Sequence, residues 1–143
     1  MKVLLCSDRD WLMSEDAFSI YSPCMYQATY EDYKAQMDSY LSDKSMKVFV
    51  CEYQGGKEGI MVLDLSADIP EIIGIAVSDR SRRQGIGKEM IQCVMETESL
   101  KAVKAQTDDD SIGFYRKCGF SEERVVIEYP DGSTVRYNCV LYR

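Results

Sequence analysis

The segment Arg82-Arg83-Gln84-Gly85-Ile86-Gly87-Lys88 stands where the chain changes its hydrophobic period. Before it, Ile72-Ile73-Gly74-Ile75-Ala76-Val77 is an apolar run of strand length. After it, Ile86, Met90, Ile91, Val94 and Met95 recur at the spacing of one helix face. A strand that feeds a glycine-rich turn at a helix start constrains the local fold tightly. Backbone N–H groups point outward there, the helix dipole favours negative charge, and glycines leave no Cβ to hold a ligand away. Arg80, Arg82, Arg83 and Lys88 add four basic residues within nine positions. The segment reads as a phosphate cradle on an otherwise acidic chain.

Spacing separates the known kinds of cradle. A P-loop requires G-x-x-x-x-G-K-[ST], but Gly87-Lys88 is followed by Glu89, and Arg82 occupies the first glycine position. A dinucleotide fingerprint requires G-x-G-x-x-G, and Met90 stands at its third glycine. What remains is R-x-x-G-x-G at Arg82, Gly85 and Gly87 on a strand–turn–helix, which resembles the pyrophosphate loop of the GNAT acyl-CoA N-acyltransferase superfamily. Downstream, Ser111-Ile112-Gly113-Phe114-Tyr115-Arg116-Lys117-Cys118-Gly119-Phe120 resembles that superfamily's later motif, N-x-x-A-x-x-F-Y-x-K-x-G-F. Phe114, Tyr115, Lys117, Gly119 and Phe120 match it, whereas Asp108 and Ser111 replace the usual Asn and Ala. The resemblance spans roughly residues 45–143.

The resemblance implies a fold and a chemistry. The fold is α+β, a mixed and largely antiparallel sheet with two adjacent parallel strands splayed to admit the pantetheine arm of CoA. The amides and side chains of Arg82, Arg83, Gln84, Gly85, Ile86, Gly87 and Lys88 would bind the phosphates. The backbone of Ile75, Ala76 and Val77 would pair with pantetheine, the Ile75 N–H would polarise the thioester carbonyl, and Phe114 would line the cofactor. Tyr115 stands where the superfamily's general acid stands. Glu71 is the candidate general base, directly or through water, with Asp64 and Tyr142 as lesser candidates. The co-substrate would be acetyl-CoA or another short acyl-CoA and the acceptor an unidentified amine, attacked directly in a ternary complex. The alternative is a non-catalytic acyl-CoA sensor or interaction module.

Composition bounds these readings. With 143 residues, 45% hydrophobic and 29% charged, the chain is expected to be one domain, 1–143, with a sizeable core. No apolar run reaches the ~20 residues of a membrane span, and the run after Met1 is far too short for a signal peptide, so a cytoplasmic protein, monomer or homodimer, is expected. Six cysteines lie without a C-x-x-C pair and there is no histidine, which leaves no metal site in view and no histidine-activated nucleophile. Cys118 is read as packing. The net charge of −7 argues against nucleic acid.

Along the chain we expect strands at Met1–Cys6, Lys47–Tyr53, Gly59–Leu65, Glu71–Ser78, Ala102–Gln106, Phe120–Tyr129 and Thr134–Tyr142. Helices are expected from Asp8 to about Tyr21, after a Thr29–Asp32 capping box, from Gly85 to about Glu98, and up to Cys118. The order is β α α β β β α β α β β, about seven strands and four helices. Tyr30, Tyr33, Met37, Tyr40 and Leu41 read as a core-facing helical stripe, from which one or two tyrosines would line a substrate mouth.

Overall fold

The computed structural model describes residues 1–143. Its seven strands are β1 (Lys2–Leu5), β2 (Met46–Tyr53), β3 (Gly56–Asp64), β4 (Glu71–Val77), β5 (Ala102–Thr107), β6 (Ser121–Tyr129) and β7 (Gly132–Tyr142). They form one sheet in the order β1-β2-β3-β4-β5-β7-β6. Every neighbouring pair is antiparallel except β4 and β5. The helices are α1 (Arg9–Leu12), α2 (Glu15–Tyr21), α3 (Tyr30–Ser42), α4 (Ile86–Thr97) and α5 (Ile112–Lys117).

The helix count corrects the reading of Asp8–Tyr21 as one element. Two cap-forming residues divide it. The Asp8 carboxylate accepts the Trp11 N–H at 3.0 Å and starts α1, and the Ser14 hydroxyl accepts the Ala17 N–H at 3.2 Å and starts α2. The expected capping box opens α3: Thr29 and Asp32 exchange two bonds of 3.1 Å.

Central strands are apolar on both faces because helices cover both. Val48, Val50, Ile60 and Val62 pack under α1–α3 with Leu12, Tyr21, Tyr33 and Met37. Their neighbours Phe49, Cys51, Met61 and Leu63 face α4 and α5, meeting Ile86, Met90, Ile91, Val94 and Tyr115.

Strand β4 breaks this alternation. Val62 pairs with Gly74 and Leu63 with Ile72, so Ile73 is an extra residue, a bulge. The side-chain phase flips across it: Ile72 lies in the α4 layer and Ala76 in the α2–α3 layer, although both are even-numbered. Backbone phase flips as well. Before the bulge, the Pro70 carbonyl accepts the Lys104 N–H on β5; beyond it, the Ser78 N–H turns the other way, to Glu58 on β3. Parallel pairing with β5 covers only Glu71–Lys104 and Ile72–Ala105. From Ile73 onward β4 has no partner on that side, and the two strands splay.

Candidate active site

Three features lie along the splay: the free edge of β4, the loop that leads from its open end into α4, and a cleft that reaches β4 at Ile73.

The free edge presents the backbone of Ile75 and Val77. Both carbonyls are engaged by side chains: Cys24 Sγ donates to the Ile75 oxygen at 3.2 Å, and Arg82 Nε to the Val77 oxygen at 3.1 Å. Ala76 points the other way, buried against α2 and α3, so it offers the splay no side chain. Gly74 is required under Tyr21: an added Cβ would lie 2.1 Å from the phenol oxygen.

The loop is unusual in what it leaves unbonded. The N–H groups of residues 83–88 donate to no protein acceptor; the first bonded amide of α4 is that of Glu89, which reaches the Gly85 carbonyl. Arg83 and Gly85 adopt left-handed conformations, φ 65° and 75°. Space above Gly85 is open, so its glycine serves backbone conformation and close approach. Gly87 does something else. A Cβ there would lie 2.8 Å from the Phe114 ring, so this glycine seats the aromatic of the later motif against the loop. Ile86 is buried in the core and offers only its amide.

The four basic residues divide. Arg80 is held by Glu58, a β3 carboxylate that sequence reasoning passed over. Glu58 is only 3% exposed, yet accepts from Ser78 Oγ at 2.8 Å, Arg80 Nε at 2.7 Å and Ser81 Oγ at 2.6 Å on one oxygen, and from Arg80 Nη2 at 2.5 Å on the other. The Arg80 guanidinium and the two hydroxyls hold its carboxyl down at about 2. One carboxylate thus pins residues 78–81, the base of the loop. A charged residue ahead of the apolar run in β3 was the only sequence signal of this role. Arg82 is paired with Asp79 at 3.0 Å. Arg83 and Lys88 are exposed and have no acidic partner, as is the uncharged Gln84.

Tyr115 is buried on α5, its ring edge-on to Phe114 at 5.1 Å and to Phe120 at 5.2 Å. Burial pushes its phenol well above the ordinary value. Cys118 packs half-buried beside the core, as expected. Asp108, at the position where Asn is usual, accepts the Ser111 N–H at 3.0 Å just before α5.

The base candidates lie elsewhere. Glu71 stands at the foot of the splay, where β4 and β5 still pair, four residues or ~13 Å of strand from Ile75. Asp64 pairs opposite Glu71, and the Ser66 hydroxyl and N–H hold its carboxyl below the usual range. Tyr142 pairs with Ala102 beyond the foot, 69% exposed, at the end of β5 away from the opening.

The cleft has a volume of about 620 Å³. Asp32, Ala35, Gln36, Ser39 and Tyr40 line it from one face of α3, and Tyr21, Cys24 and Ile73 close its inner end. Burial raises the phenols of both Tyr21 and Tyr40 above the ordinary value. Of the tyrosine stripe on α3, Tyr33 is core and Tyr40 lines the cleft. Nothing local in the sequence announces a wall opposite the polar residues of this face.

A loop of unbonded amides beside an unpaired strand edge is the arrangement that the resemblance implied for acyl-CoA transfer, and sequence comparison agrees. Residues 44–122, more than half of the chain, match the acetyltransferase (GNAT) domain, and the chain belongs to that family. This favours the enzyme over a non-catalytic binding module. No curated protein matches the chain significantly. Solved structures share the fold. The ribosomal-protein-S18-alanine N-acetyltransferase of Escherichia coli superimposes with a TM-score of 0.72 at 14% identity, over 99% of this chain and 92% of that one. A GNAT family acetyltransferase from Elizabethkingia anophelis with acetyl-CoA bound gives 0.59 at 22% identity, over 77% and 83%. An acetyltransferase from Bacillus subtilis in complex with CoA gives 0.68 at 16% identity, over 99% and 98%.

Proposed function

We propose that this chain transfers an acetyl or other short acyl group from acyl-CoA to a primary amine by direct attack in a ternary complex. The observation that carries the reading is the run of six unbonded amides, 83–88, beside a β4 edge without a strand partner. The amides take the pyrophosphate, and Arg83 and Lys88 take further phosphate charge. Pantetheine adds to β4 as a short strand, displacing the Cys24 thiol from Ile75 and the Arg82 guanidinium from Val77. The Ile75 N–H then faces the thioester oxygen, where one preorganised donor contributes about 3 kcal/mol to the barrier reduction. Phe114 walls the cofactor against Gly87.

The amine enters by the cleft. With a pKa of about 10.4 it arrives mostly protonated. Glu71 receives that proton through water, since ~13 Å of strand is too long for direct contact. Tyr115, protonated at any physiological pH, donates a hydrogen bond to the departing thiolate. Full transfer from so weak an acid is uphill, so water completes the protonation. Holding both reactants side by side removes much of the entropic barrier. No helix is long and apolar enough to cross a membrane, and six free cysteines suit the reducing cytoplasm.

Calorimetry with acetyl-CoA, followed by thiol release on adding amines, tests the reading. Saturable binding and amine-dependent CoA release are expected; no binding at millimolar acetyl-CoA ends it.

A further inference from the structure

The two edges of the sheet are built differently. β1 ends one side with four residues, a strand short enough to discourage further pairing. β6 ends the other side with nine, and no strand lies beyond it. Its register with β7 runs unbroken from Ser121–Val140 to Tyr129–Gly132, so no bulge twists this edge away. The strand contains neither proline nor lysine. Native sheets blunt their edges with such devices. β6 instead exposes apolar side chains, Val126 at 50% and Tyr129 at 54%.

Two charges on this strand are unspent. Glu122 is tied to Arg116 of α5 at 2.8 Å. Arg124 and Glu128 are exposed and belong to no ion pair. Both share with Val126 the sheet face of their cross-strand partners on β7, Tyr137, Ser133 and Val135. They flank Val126 at equal spacing and carry opposite signs. A second β6 laid antiparallel about a two-fold axis at Val126 therefore meets each Arg124 with the other copy's Glu128. Val126 meets itself on that face, and Val125 meets Ile127 on the opposite one. Pro130 falls just beyond the last pair, Glu123 with Tyr129.

Other two-fold centres are worse. Centring on any charged residue sets it against its own copy. Centring on Val125 sets Glu122 against Glu128, and centring on Ile127 sets Val126 against Glu128 and Arg124 against Pro130. A centre at Ser121 or Tyr129 leaves most of the strand unpaired.

We propose that β6 is a homodimer interface, in which two copies of this chain pair their β6 strands antiparallel about Val126 and join their sheets into one. The proposal does not rest on the acyl-transfer reading, because β6 lies two strands beyond the splay.

Sedimentation over a concentration series tests it. The expected species has twice the 16.3 kDa mass of the chain. Arg124→Glu sets Glu against Glu128 at both ends of the ladder, and Glu128→Arg sets Arg against Arg124 at both ends. Each variant should keep a native far-ultraviolet spectrum and raise the dimer dissociation constant at least about tenfold. Mixed in equal amounts, the two variants restore opposite charges at every such pair. They should form a one-to-one heterodimer with a dissociation constant within about threefold of wild type. A wild type that stays monomeric, single variants that dimerise as wild type does, or a mixture that stays monomeric overturns the proposal. Should either variant fail to fold, amide exchange in the wild type decides. The outward amides of β6 should gain protection as concentration rises, and exchange independent of concentration overturns the proposal.

Discussion

At the scale of single residues, Glu58 and Tyr115 carry the sharpest expectations. Glu58 spends its charge on Ser78, Arg80 and Ser81, so the cradle's base is set before any ligand arrives. Glu58→Gln is expected to cost about 1–3 kcal/mol of stability by leaving donors short of an acceptor. It should also weaken CoA binding about tenfold, read by calorimetry on folded protein, with KM for the amine unchanged. Unchanged CoA affinity would show that the clamp does not organise the loop. The pH dependence has a definite sign. The folded-state carboxyl titrates at about 2, below its ordinary 4.5, so the unfolded chain binds more protons as pH falls. This contribution is complete above about pH 4.5 and is lost toward pH 2, which acid unfolding of wild type against Glu58→Gln will reveal. Tyr115→Phe keeps the ring stack with Phe114 and Phe120 and removes only the hydroxyl. A fall in kcat of about a hundredfold with KM for acetyl-CoA unchanged is expected, and full turnover across pH would strip Tyr115 of its role.

At the scale of elements, the bulge in β4 decides the site. One extra residue, Ile73, turns the Ile75 and Val77 carbonyls out of the β3 ladder and ends pairing with β5. Gly74→Ala places a methyl 2.1 Å from the Tyr21 oxygen, and a buried tyrosine has little room to yield. The expected cost is about 1–3 kcal/mol, seen as a lower urea midpoint, together with a poorer KM for the amine because Tyr21 also walls the cleft. Gly85→Glu acts on the loop. It forces a side chain into a left-handed position and sets a negative charge in the proposed phosphate cradle, so CoA binding should vanish from calorimetry while the far-ultraviolet spectrum stays native. Much of this was legible locally. The Thr29–Asp32 cap, the turn and α4 follow from short-range spacing, and the Phe114–Phe120 motif lies where it was expected. The bulge was not legible, since Ile72-Ile73-Gly74-Ile75 is apolar throughout and an insertion shows only against a partner strand.

At the scale of the molecule, a chain of net charge −7 carries one local basic exception, where we propose that the polyanion binds. Because the proposed cradle needs an arrangement of amides that only the folded chain has, its ligand must stabilise the fold. CoA at a hundred times its dissociation constant should add about 2.7 kcal/mol, measured as a shift of the thermal midpoint, and no shift at that occupancy would contradict the cradle. The sequence by itself determined the order of the strands, the helices from α3 onward, the glycine-rich turn and the family motif, because these rest on periodicity and on residues close together in the chain. Only the tertiary structure decided that Glu58 and Arg80 are partners, that Gly87 seats Phe114, that Glu71 stands at the foot of the splay, and that α3 turns Asp32 and Tyr40 into a cleft. Each of those joins residues far apart in sequence, and their meeting depends on strand register and on which face a helix buries, quantities that no local spacing encodes.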